Sequence, residues 1–140
     1  MLHLIKLSVG VRDLAHLATI QAHRAVAEPP LRHQTRMQPK RRDQLLAGGS
    51  IYWVIAGHVR ARQRLLDIIE DAWDDGTPCA GLVLDPRLVP VAARPMKPFQ
   101  GWRYLDPAAA PADLGEAGAG KGLDALPEAL RRELAALCLI

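Results

Sequence analysis

Between His58 and Ile68 the side chains alternate. Val59, Ala61, Gln63 and Leu65 fall on one side of an extended chain, and Arg60, Arg62 and Arg64 fall on the other. A period of two belongs to a strand with one face in a core and one in water, so this stretch commits the chain to a sheet. A helix over the same region would instead line up Leu65, Ile68, Ile69, Ala72 and Trp73. The strand is taken through about Ile68, with a helical end left open.

Turn signals on both sides fit a meander. Ser50 to Ile55 is strand-like and Gly57 offers a turn into the arginine-bearing strand. Asp75-Gly76 offers the next turn, before the apolar run from Gly81 to Leu84. Prolines at 90, 95 and 98 make residues 87–98 an extended, edge-like passage, and Trp102 to Leu105 is expected to pair as a last strand.

Upstream, residues 3–9 alternate as a strand. Asp13 can cap a helix whose apolar positions recur at three and four residues until Pro29-Pro30 forbids continuation. An extended piece covers His33 to Met37. Pro39 then suits the first turn of a small helix closed by Gly48-Gly49. Residues 106–122, rich in Ala, Gly and Pro, are expected to be a flexible connector. A final helix over 123–140 presents Leu126, Leu130, Leu134 and Leu137 as one stripe, to dock on the body or on a partner.

The fold expected is α+β: one domain, with residues 1–105 as a core of mostly antiparallel, strongly curved sheet and helices at both ends of the chain. A chain of 140 residues with 49% hydrophobic content can bury a core without staples. Cys79 and Cys138 stand far apart in no metal-type spacing, so they are expected to stay thiols. Neither an apolar run long enough to span a bilayer nor a signal-peptide pattern is present, and a cytoplasmic setting is expected.

Charge is segregated. Residues 24–64 hold nine bases and two acids, a net of +7, while residues 65–140 hold seven bases and twelve acids, a net of −5. Arg outnumbers Lys fourteen to four and Asn is absent, a composition typical of GC-rich coding, so arginine placement matters more than arginine number. A localised positive field concentrates an anionic partner, most often nucleic acid or a phosphate ligand.

Catalytic patterns fail on inspection. Gly115 to Lys121 resembles a phosphate-binding loop, but Gly122 stands where a hydroxyl must hold magnesium, and no strand precedes it. His33-Gln34-Thr35 has the form of half a two-histidine phosphoesterase motif, without a second copy. His16 and His23, two helical turns apart, are about 10 Å from each other and cannot share one ion. Ser8 and Ser50 lack a nucleophile elbow, and the acids from Asp67 to Asp75 form a charge run of the solvated kind. No catalytic residue, metal or cofactor is expected, and whether the chain is an enzyme stays open.

Five of the six aromatics lie beside bases: Tyr52 and Trp53 before Arg60 to Arg64, and Phe99, Trp102 and Tyr104 among Lys97 and Arg103. Rings that stack on unpaired bases, beside cations that meet phosphates, are what single-stranded nucleic acid requires. The expected function is binding of RNA or single-stranded nucleic acid. Arg36, Lys40, Arg41, Arg42, Arg60, Arg62 and Arg64 would contact phosphates, and Tyr52, Trp102 and Arg103 would supply stacking or local specificity. Trp53 and Trp102 are equally core candidates, and Tyr52, opposite Trp53 on its strand, is the better candidate for exposure. The alternatives are an enzyme or sensor for a small phosphorylated or carboxylated ligand held by arginines, and a protein-interaction module using the C-terminal leucine stripe.

The strings Thr35-Arg36-Met37-Gln38-Pro39-Lys40-Arg41, Gly48-Gly49-Ser50-Ile51-Tyr52-Trp53-Val54-Ile55, Arg62-Gln63 and Pro98-Phe99-Gln100-Gly101-Trp102-Arg103-Tyr104 resemble the domain-of-unknown-function 1489 family of small bacterial proteins. That resemblance implies a cytoplasmic bacterial setting and no activity. The order of short helix, Gly-Gly, Tyr-Trp strand and Arg-bearing strand is also similar to the PUA and ASCH barrels, which are small RNA-binding modules. The Gly-x-Lys-x-x-Glu-x-Arg signature of ASCH domains is absent, so that likeness implies a PUA-like barrel as a possible architecture and no substrate.

Overall fold

The computed structural model describes residues 1–114. Their elements run β1 (His3–Leu7), α1 (Leu14–Ala27), β2 (Arg32–Thr35), α2 (Arg42–Leu46), β3 (Ser50–Ile55), β4 (His58–Ala72), β5 (Pro78–Pro95) and β6 (Trp102–Leu105), followed by a 3-10 turn at Pro107–Ala109. One sheet contains all six strands in the order β2-β5-β4-β3-β1-β6, and only the β1–β3 pair is parallel. The α+β expectation and the mostly antiparallel sheet therefore hold. The barrel does not: β2 and β6 are edges, with no strand pairing between them.

Local chemistry accounts for most boundaries. The Asp13 carboxylate accepts the His16 N–H at 2.7 Å and starts α1, which stops just before Pro29-Pro30. Pro39, expected inside the small helix, lies before it, and α2 begins after Arg41. At Gly49 a side chain has no room, because a Cβ would sit 2.1 Å from the Leu2 carbonyl oxygen and 2.4 Å from that of Leu45. Ala56 and Gly57 both take positive φ, as the two-residue β3–β4 hairpin requires.

Three strand expectations are corrected. β4 continues as a strand to Ala72, so its helical end is not formed. β5 is one strand of 18 residues rather than a short run followed by a separate passage. Pairing decides both: Ile68 to Ala72 are matched residue for residue with Leu82 to Pro78, and that ladder outweighs the helical spacing of Leu65, Ile68 and Ile69. The third correction concerns the alternation in β4. The pairing register shifts between Val59 and Ala61, so Arg60 is an extra, bulged residue. Val59 consequently joins one core cluster and Ala61 the other.

The two faces of the sheet carry different cores. Leu4, Ile51, Trp53, Leu65, Leu82 and Leu84 pack with Leu14 and Leu17 of α1 and Leu45 of α2. On the second face Ile5, Tyr52, Val54, Val59 and Val91 gather Met96, Phe99 and Ala110. Further register shifts in the β4–β5 hairpin, between Gln63 and Asp67, bend its far half. Gly81 permits a cross-strand contact in that half. Asp71 of β4 reaches past it to the Arg32 guanidinium, at 2.5 Å, and the Gln34 amide, at 3.2 Å, both on β2. A Cβ on residue 81 would stand 3.0 Å from that carboxylate.

Of the expected connector, residues 106–114 are laid against β5. Asp113 bridges to Val91, and the Ala92 and Leu114 amides donate to the carbonyls of Ala112 and Pro90. The remainder of the connector, the loop resembling a phosphate-binding motif, Cys138 and the C-terminal helix lie outside the described residues. No helix among the described residues is long and apolar enough to cross a membrane.

Candidate functional site

The edge strand β6 and the chain following β2 meet through side chains. The Trp102 indole N–H donates to the Met37 carbonyl at 2.8 Å, and the Tyr104 hydroxyl accepts the backbone N–H groups of Lys40 and Arg41 at 3.0 and 3.2 Å. The two rings stand edge to face with centroids 4.9 Å apart, and the Arg41 guanidinium lies 5.5 Å from the Tyr104 centroid. Arg103, on the alternate face of β6, sits 4.6 Å from the Phe99 ring centroid. Arg36, Lys40, Arg41 and Arg103 are exposed, and Tyr104 retains 36% of its surface. These four cations make no ion pair among the described residues.

The remaining expected residues do not join this edge. Tyr52 is buried, at 4% exposure, with its ring edge to face with His3 at 5.1 Å, so the expectation that it faces solvent is overturned. Burial raises the Tyr52 phenol's pKa and lowers that of the His3 imidazole. Arg62 is half-buried and gives a bidentate pair to Asp113, both contacts at 2.6 Å, plus a bond to the Ser50 hydroxyl at 3.1 Å. Arg42 pairs with Asp67 and also donates to the Ile68 carbonyl. Arg60 is exposed at the bulge, lining a cleft with Arg12 and Asp13, and Arg64 is exposed opposite Ser50, three strands from β6. Trp53 is core, and Trp102 packs half-buried against the same core.

Folding thus cancels part of the charge segregation. Arg32, Arg42 and Arg62, three of the nine bases in residues 24–64, take acidic partners from Asp71, Asp67 and Asp113 in the acidic part of the chain. Ser50 is not poised for attack: its hydroxyl accepts from Arg62, and His3 Nδ1 accepts the Ser50 backbone N–H at 3.0 Å rather than its hydroxyl proton. Among the described residues no group of three His, Cys, Asp or Glu could hold a metal ion.

A buried polar cluster, centred on Gln63, had no signal beyond its place in the β4 alternation. Gln63 and Gln21 exchange reciprocal amide bonds at 2.8 and 2.7 Å. Gln63 also accepts the Trp53 indole N–H at 3.1 Å and donates to the Asp85 carbonyl at 2.8 Å, so both ends of its amide are used.

The sequence matches the model of the family described as Protein of unknown function (DUF1489) over residues 4–140. The chain belongs to that family. The family strings at 35–41 and 98–104 are the two segments joined by the Trp102–Met37 and Tyr104–Lys40 bonds. The strings at 48–55 and 62–63 supply Trp53 and Gln63 to the buried polar cluster. The sequence matches no curated protein and no solved structure.

Proposed function

We propose that this protein binds RNA or single-stranded DNA along the β6 edge. Arg36, Lys40, Arg41 and Arg103 would meet phosphates, and Tyr104 would offer its ring to a base. The fixing of Tyr104 carries this reading: its hydroxyl is held by two backbone N–H groups, a guanidinium lies beside its ring, and part of the ring stays open to solvent. A ring already held loses little freedom on stacking, and cations at its side supply the backbone contacts a single strand needs. Trp102 then supports Tyr104 from the core side instead of stacking itself. Arg42 and Arg62, engaged by acids, and the buried Tyr52 drop out of the contact set.

The test is fluorescence anisotropy with a labelled single-stranded RNA across a salt series. Four phosphate contacts predict a log–log salt slope of about −3, or about a fiftyfold loss of affinity between about 50 and 200 mM salt. The triple variant Arg36→Gln, Lys40→Gln, Arg41→Gln should flatten the slope to about −1. Unchanged affinity and slope in that variant would remove the β6 edge as the binding surface.

A further inference from the structure

A cavity of about 150 Å3 lies between α1, the end of β1 and β2, lined by Lys6, Ser8, Arg24, Arg32, His33 and Trp53 among others, and no carboxylate among the described residues lines it. Its polar content is unbalanced. The Ser8 hydroxyl and His33 Nε2 are buried without a hydrogen-bond partner among the described residues, and buried polar atoms of this kind call for a partner. Arg32 is balanced by Asp71, whereas Lys6 and Arg24 make no ion pair among the described residues.

Each wall has a reason to be there. Lys6 lies in register between Trp53 on β3 and Trp102 on β6, on the same face of the sheet as both. His33 comes from the opposite edge of the curved sheet, its ring edge to face with Trp53 at 5.2 Å. Arg24 descends from the last turn of α1. A second groove of about 300 Å3 shares Arg24, Arg32 and His33 with the cavity and extends to Trp73, with Glu28 and Asp74 also in its wall, so it suits the uncharged part of a ligand rather than a second anion.

We infer that this cavity is a binding site for the phosphate group of a small phosphate monoester. Lys6 and Arg24 present two positive charges, the complement of a dianion. Ser8 Oγ–H and an Nε2–H of His33 supply the hydrogen bonds that phosphate oxygens accept. At about 30 Å3 per water, 150 Å3 holds a phosphate and a little more, so the rest of the ligand must lie in the adjoining groove, against Trp73. Burial, then Lys6 and Arg24, hold the His33 imidazole down to about 4, and an anion bound between these cations would raise it. The site shares none of the cations assigned to the β6 edge and stands whether or not that edge binds nucleic acid.

The test is an NMR titration of the full chain with inorganic phosphate, following the His33 imidazole, with chloride at equal ionic strength as the control. Phosphate should shift the His33 resonances saturably. Arg24→Gln, an exposed helix position that leaves the core intact, and Lys6→Met, which keeps the apolar stem, should each weaken binding at least tenfold, while Arg36→Gln should not. His33 resonances that do not move with phosphate, or move equally with chloride, would overturn the site, as would unaltered affinity in folded Arg24→Gln. Competition separates the sources of the phosphate. Displacement by a nucleoside monophosphate supports a free small ligand. Displacement only by a terminally phosphorylated oligonucleotide would replace that ligand with a nucleic-acid end.

Discussion

The Trp102 indole donates to the Met37 carbonyl over 2.8 Å, and this bond ties edge strand β6 to the chain that has just left the opposite edge strand, β2. The sheet is curved enough for its edges to approach, yet they are joined by side chain to backbone contacts and not by a ladder. That leaves the backbone of β6 unpaired on its outer side among the described strands, next to the exposed cations.

The Trp102 contact should therefore be structural. Trp102→Phe keeps a ring against the core and loses one hydrogen bond, costing about 1 kcal/mol of folding stability. Trp102→Ala also removes the neighbour of Tyr104 and should cost about 3 kcal/mol. Urea unfolding measures both, and equal midpoints for wild type and Trp102→Ala would show that the indole holds nothing.

Gln63 is a second test of the core. Gln63→Leu fills a similar volume but strands the Gln21 amide and the Trp53 indole N–H, and should destabilise by about 2–4 kcal/mol. Gln21→Leu combined with Gln63→Leu should recover part of that loss, because one stranded amide is then removed as well. A double variant less stable than Gln63→Leu alone would contradict this account of the network.

His33 sets a pH dependence. Its folded value of about 4 lies below the ordinary 6.5, so between these values the unfolded chain binds a proton that the folded chain refuses. The stability contributed by neutral His33 is complete above 6.5 and is lost as pH falls toward 4, about 3 kcal/mol in all. Urea midpoints in phosphate-free buffer should fall over that window, and His33→Phe should remove most of the fall. A variant with the same acid sensitivity as wild type would place the titration elsewhere.

The sequence by itself determined the elements whose limits are set by neighbours in the chain. Asp13 and Pro29-Pro30 bound α1, the Gly57 turn joins β3 to β4, and alternation marks the strands that begin at His3 and His58, because caps, turns and side-chain period act within a few residues. Only the tertiary structure decided where β4 and β5 end, since their length comes from pairing each other past the point where local spacing favoured a helix. It also decided which cations remain for a ligand. Asp67, Asp71 and Asp113 are remote in sequence from Arg42, Arg32 and Arg62, and only the bent sheet brings each carboxylate to its guanidinium. The same bend carries His33 to Trp53, beside the cavity that Lys6 also lines, a juxtaposition that no spacing along the chain records.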